Sequence, residues 1–335
     1  MTETAERYSE TRIKDSFTAY VLFSEPLRGT ISEVMAAVSD DYPGLDWSSE
    51  QLGQDVFDTR GVTLSTDLSG MSRSDLTPRG RTSFIGSPGR CEIDWAPIIG
   101  KARFIFPDAQ AAVDRHTDYL SVSVDSPSGD TSIAARFDAA RRVTCIAAVL
   151  AKLPTALGVY FPNGDTLVTP ENWVKAAETA MKGEVPLEAW VTFFLAFFDA
   201  PPEPLPVTVS TVGVAAFTGH EIVLPKARLE PVEAVKYVYG AGYLLLQAGH
   251  EFVDSDTLGV EGGAEKLRIR HVQEGRFEAQ TDQWVLIHPS SGIDDVEMFG
   301  ERSRKPPPPG TANEIMNSPD TLKNRLYSFV SGARP

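Results

Sequence analysis

His220-Glu221 and His250-Glu251 are two His–Glu pairs, and Asp254-Ser255-Asp256 follows closely after the second. A site gathered from His220, His250, Asp254 and Asp256 would offer the imidazole and carboxylate donors that divalent first-row ions accept. Neighbouring residues on a strand point to opposite faces, so each His–Glu pair supplies only one ligand easily. Asp and Ser side chains also bond nearby backbone amides, and Gly259 tolerates positive φ. The stretch Asp254-Ser-Asp-Thr-Leu-Gly259 therefore reads first as a structured turn, and the preferred expectation is no metal and no cofactor. A carboxylate pair at i and i+2 would be the acid/base alternative.

Other chemistry is sparse. The chain has no GxxxxGK[ST] phosphate loop, no GxSxG elbow, no CxxC and no HExxH. His116-Thr117-Asp118, just before an apolar strand, reads as structural, and His271 and His288 complete the five histidines. Cys145 falls within an apolar helical pattern and is expected to be a buried small hydrophobe. With Cys91 it makes only 2 cysteines, too few for a disulfide framework or a structural zinc site. No catalytic residue is assigned.

The elements that would carry these residues follow from periodicity. Phe17–Ser24 (FTAYVLFS) reads as a strand. Thr30-Ile-Ser-Glu33 is a capping box, followed by Ile31, Val34, Met35 and Val38 at helical spacing and closed by Pro43-Gly44. Short strands are expected at Thr82–Ile85 and Cys91–Trp95. Tyr119–Asp125 alternates with period two, and Asp138–Leu153 places Val143, Ile146, Val149 and Leu150 on one helical face. Ala156–Phe161 is a strand ending at the Pro162-Asn163-Gly164 turn. Thr169-Pro170 fits an N-cap with proline at the first helical position. Ala189–Phe198, Pro206–Phe217 and Glu221–Leu224 read as strands. A long helix opens at Pro231, and Lys266–Val272 and Trp284–His288 are the last strands expected. This order predicts an α+β fold: a mixed, largely antiparallel sheet packed with three to four helices. One body over residues 15–288 is expected, with a flexible N-terminus at 1–14. A tail at 289–335 holds the Pro306–Pro309 run and a short helix from Thr321 to Val330.

Charge is distributed unevenly over the 335 residues. Thirty-one Lys+Arg against 46 Asp+Glu give −15, which disfavours a nucleic-acid binder. Both ends are neutral, so the excess lies in the body. Three windows there hold no Lys or Arg: Gly29–Thr59, Gly183–Pro225 and Tyr237–Glu265. Carboxylates without intervening cations create a field that steers and orients a cationic partner. The contact candidates are Asp40, Asp41, Asp46, Glu50, Asp55, Asp58, Glu251, Asp254, Asp256 and Glu261. The N-terminus lacks an apolar stretch, and the most apolar window, Ala189–Phe198, is half the length of a spanning helix. A cytoplasmic location without membrane association is expected.

Several segments occur together in order: His116–Val124 (HTDYLSVSV), Gly158–Phe161 (GVYF), Pro186–Val191 (PLEAWV), Gly213–Ile222 (GVAAFTGHEI) and Asp254–Gly259 (DSDTLG). The combination resembles an uncharacterised bacterial family, a domain of unknown function with a C-terminal D-G-D-T-[IL]-G turn, over about residues 17–288. Here Ser255 stands where that pattern has glycine. The resemblance supplies no catalytic residues. It implies a link to immunity or accessory proteins near interbacterial (type VI) secretion systems, which some relatives resemble.

Three functions are consistent with these readings. The first is a non-catalytic binding protein, an immunity protein that neutralises a cationic toxin, for example a nuclease, through an acidic surface. The second is a metal-dependent hydrolase using His220, His250, Asp254 and Asp256. The third is a secretion-system adaptor or chaperone that uses the proline-rich tail as a connector.

Overall fold

A computed structural model describes residues 16–43, 45, 56–58, 82–103, 105–126, 132–198, 204–259, 266–273 and 281–293. The expected N-terminal segment, the side chain of Thr30 in the expected capping box, the Pro306–Pro309 run and the Thr321–Val330 helix lie outside the described residues. So do Asp46, Glu50, Asp55 and Glu261. The chain separates into two compact units, Lys14–Trp190 and the part from Val191 onward, across the span that the sequence reads as one body.

The first unit contains β1 (Ser16–Phe23), β2 (Arg28–Thr30), α1 (Ile31–Asp41), β3 (Val56–Asp58), β4 (Thr82–Pro88), α2 (Trp95–Ala102), α3 (Ala109–Arg115), β5 (Asp118–Asp125), α4 (Ile133–Ala151), β6 (Ala156–Phe161), β7 (Thr166–Val168), α5 (Pro170–Met181) and α6 (Leu187–Trp190). Its five-stranded sheet runs β4-β5-β1-β6-β7 with every neighbour antiparallel. Alternation along β1 divides its side chains between two helical layers. Phe17, Ala19 and Val21 are fully buried, while Leu22 packs with Ile98 of α2, Val113 of α3 and Tyr160 of β6. Helices α4 and α5 pack together against the sheet. Thr169 caps α5 as expected: its hydroxyl accepts from Asn172 N at 3.2 Å, with Pro170 in the first turn.

The second unit contains β8 (Thr192–Phe197), β9 (Val207–Val212), α7 (Val214–Thr218), β10 (Glu221–Ala227), α8 (Pro231–Gln247), β11 (Thr257–Gly259), β12 (Lys266–Val272) and β13 (Gln283–Ile287). Its six-stranded sheet runs β11-β12-β13-β10-β9-β8. It is mixed because β10 and β13 are parallel while the other neighbours are antiparallel. Helix α8 packs on β9 and β10, and its buried stretch includes Gly240 and Gly242.

The fold is α+β, as expected, with more helix than the three to four read from sequence. Residues Cys91–Trp95 are not a strand: Trp95 opens α2, where Pro97 sits in the first turn, whose amides need no intrahelical acceptor. The expected strand Pro206–Phe217 ends at Val212. Gly213 and Gly219, at φ +119° and +83°, bracket the single turn of α7, and residues with a Cβ rarely adopt those angles. Likewise the apolar run Ala189–Phe198 begins in α6 before becoming β8. Among the described residues, no helix is long and apolar enough to cross a membrane.

Candidate metal centre

One end of the second unit's sheet gathers three side chains of metal-ligating type. The parallel register pairs Glu221 of β10 with Gln283 of β13, so the residues just before those strands, His220 and Asp282, emerge side by side. The Glu221 amide donates to the Asp282 carbonyl at 3.0 Å and fixes that alignment. Strand β12 runs antiparallel to β13 with His271 opposite Trp284, which brings His271 to the same end. One donor atom from each of His220, His271 and Asp282 lies within 4.8 Å of the other two.

Asp282 Oδ2 is 3.6 Å from His271 Nε2 and 3.9 Å from His220 Nε2. Donors bound at about 2.1 Å around a tetrahedral ion stand about 3.4 Å apart, so the two imidazole–carboxylate gaps need to close by no more than about half an ångström. His220 Nδ1 faces the Thr218 carbonyl at 3.1 Å; donation there leaves the Nε2 lone pair available. Burial lowers the His220 pKa, and neighbouring His271 lowers it further, against the Thr218 bond and Asp282, which raise it. The neutral, ligand-competent imidazole is thereby favoured. His271 Nε2 is buried and has no hydrogen-bond partner among the described residues. A buried polar atom without a partner is costly, and a cation between the three side chains would satisfy it.

Trp284 backs the group, with its ring 5.0 Å from His220 and 5.1 Å from His271. Phe252 meets the indole edge-on at 6.0 Å, and His250 packs against Phe252 at 5.6 Å. Of the four residues considered from sequence, only His220 belongs to the cluster. His250 packs on Phe252, which in turn meets Trp284.

Asp254 and Asp256 build the turn that presents β12. Asp254 Oδ1 accepts from the His271 amide at 2.8 Å, and Asp256 Oδ2 accepts from the Val253 amide at 2.9 Å. The left-handed residue of this turn is Ser255, at φ +78°, rather than Gly259, which lies in β11. The glycine of the D-G-D-T pattern would take that angle without strain. Ser255 instead uses its hydroxyl to accept from Arg270 Nη1 at 3.0 Å. Glycine would relieve about 1 kcal/mol of left-handed strain but forfeit a bond to a buried guanidinium worth about 2 kcal/mol. Ser255→Gly is therefore expected to lower stability by about 1 kcal/mol in urea denaturation, and a gain in stability would show that strain dominates.

The Glu of the first His–Glu pair points away from the cluster, as strand alternation requires. Glu221 Oε1 accepts from the amides of Gly213 (2.7 Å) and Ala215 (3.2 Å), and Oε2 from Thr211 Oγ1 (2.6 Å) and the Val214 amide (3.2 Å). Burial raises its carboxyl to about 7, against the opposing pull of these four donors.

The first unit's candidates are structural. His116 is buried, with Nε2 accepting from the Cys91 amide at 3.0 Å and Nδ1 against the Val113 carbonyl, and burial lowers its pKa. Burial pushes the Cys145 thiol up to about 12, the setting of an inert core cysteine. Among the described acidic candidates, Asp40, Asp41 and Asp58 belong to the first unit, and Glu251, Asp254 and Asp256 to the second. Asp41 pairs with Lys152 at 2.9 Å, and Asp40 and Glu251 are exposed. No protein-family model, curated protein or solved structure matches the chain.

Proposed function

We propose that the protein binds a divalent transition-metal ion through His220, His271 and Asp282 and acts as a metal-dependent hydrolase. The observation that carries this reading is the buried His271 Nε2, which has no hydrogen-bond partner among the described residues and shares one 4.8 Å neighbourhood with His220 and Asp282. Two imidazoles and one carboxylate suit zinc, iron(II) or cobalt(II) better than magnesium or calcium. Three protein ligands would leave at least one position for water or substrate, and an ion held there would supply a water of near-neutral pKa. This chain's own contribution is to present the three donors at one end of adjacent strands and to keep the His220 tautomer fixed through Thr218. Trp284 and Phe252 shield one side of the site.

The acidic-surface reading has less support. Its described members are divided between the two units, and Asp41, Asp254 and Asp256 are already engaged within the chain.

Metal analysis of untagged protein, followed by cobalt(II) titration read by visible absorption, tests the proposal. One equivalent of bound ion is expected, with affinity at least about 100-fold weaker in His271→Ala and unchanged in His250→Ala. No saturable binding by the wild type, or equal binding by His271→Ala, would overturn it.

A further inference from the structure

Glu221 bonds to both flanks of the cluster without touching the space between its donors. We infer that this buried carboxylate is a positioning residue for the metal centre, holding His220 and Asp282 in the geometry that binds the ion. The inference rests on the metal-binding reading above and adds to it a residue that contacts neither the ion nor substrate.

Two connected paths support it. Through its backbone, Glu221 donates to the Asp282 carbonyl at 3.0 Å and so locks the starts of β10 and β13 in register. Through its side chain, it gathers the amides of Gly213, Val214 and Ala215 and the Thr211 hydroxyl, which itself accepts from the Ile222 amide at 2.8 Å. That grip fixes the start of α7 against β10. Thr218, the last residue of α7, then holds His220 at two places: Oγ1 accepts from the His220 amide at 3.1 Å, and the carbonyl receives the ring Nδ1–H at 3.1 Å. Moving the start of a single helical turn moves its end as well. Loosening the carboxylate's grip would therefore swing the Thr218 carbonyl and tilt the His220 ring.

Glu221→Gln keeps the volume but turns one acceptor into a donor facing amide N–H groups, whichever way the side-chain amide is oriented. In the full-length chain, shown to be folded by far-UV circular dichroism and a cooperative urea transition, cobalt(II) affinity is expected to fall 10- to 100-fold. The visible band of the saturated protein should also change shape. A purely structural role would weaken the fold and leave the band of the remaining folded protein unaltered. If Glu221→Gln does not fold, Thr211→Val decides, since it removes one donor and leaves the three backbone donors. It should weaken binding with the same band change, and Thr211→Ser, which restores the hydroxyl, should return both to wild type. Wild-type protein that binds no cobalt overturns the metal reading and this inference together. Wild-type binding with equal affinity and an identical band in the folded variant overturns this inference alone.

Discussion

Trp173→Ala lowers the stability of the protein by about 4 kcal/mol, within the range for truncating a fully buried large aromatic. Trp173 is 0% exposed on α5. Its ring lies 5.8 Å from Phe161 of β6, and its Nε1–H donates to the Thr144 carbonyl of α4 at 3.0 Å. Truncation therefore empties the junction of two helices and a strand. Trp173→Phe keeps most of the apolar area and loses the N–H bond, so about 1–2 kcal/mol is expected from it. The gap between the two variants isolates the cavity cost. Thr144 also receives Trp190 Nε1 on its hydroxyl at 2.9 Å, which adds a polar tie to the packing at this point. Urea denaturation followed by circular dichroism measures both variants. A loss below about 2 kcal/mol for Trp173→Ala would mean that α4 and α5 collapse into the space.

What could be read from the sequence depended on how local each signal was. Ala156–Phe161, Lys266–Val272 and the Thr169-Pro170 helix start agree with the structure because alternation and capping are decided within a few residues. Helix α2 was hidden because WAPIIGKA carries Pro97 and Gly100, which count against a helix unless proline falls in the first turn. Helix α7 was hidden because VAAFT continues an apolar run, although Gly213 and Gly219 mark both its ends. The site was less legible for a different reason. His220 stood out beside Glu221, but Asp282 has no local feature to distinguish it, and His271 is the penultimate residue of an ordinary alternating strand. Their meeting depends on the parallel pairing of β10 with β13, two strands about sixty residues apart in the chain, and that register is set by tertiary packing. His250 looked equivalent to His220 in sequence, yet its ring packs on Phe252 outside the cluster.

Glu221→Ala is expected to cost about 3 kcal/mol near pH 6 in metal-free buffer and to flatten the protein's pH dependence. The truncation leaves the Gly213, Val214 and Ala215 amides facing a cavity, and each buried donor without an acceptor costs about 1–3 kcal/mol. Relief from desolvating an acid offsets part of that sum. The sign of the pH effect follows from the folded carboxyl lying at about 7, above the ordinary glutamate value of 4.5. A group whose pKa rises on folding contributes stability that is fully present below the unfolded value and lost as pH rises through the folded one. Wild-type stability from this residue should therefore decline between about pH 4.5 and 7 and level off above, with a slope no steeper than about 1.4 kcal/mol per pH unit for one proton. The alanine variant lacks the titrating group, so its deficit relative to wild type should be largest near pH 5, shrink as pH rises toward 7, and change little above that. Urea midpoints taken in chelator at pH 5, 6, 7 and 8 distinguish the cases. A deficit of the alanine variant that does not change with pH, or that grows as pH rises, would mean that the three amides and the Thr211 hydroxyl outweigh desolvation and keep the carboxylate ionised throughout.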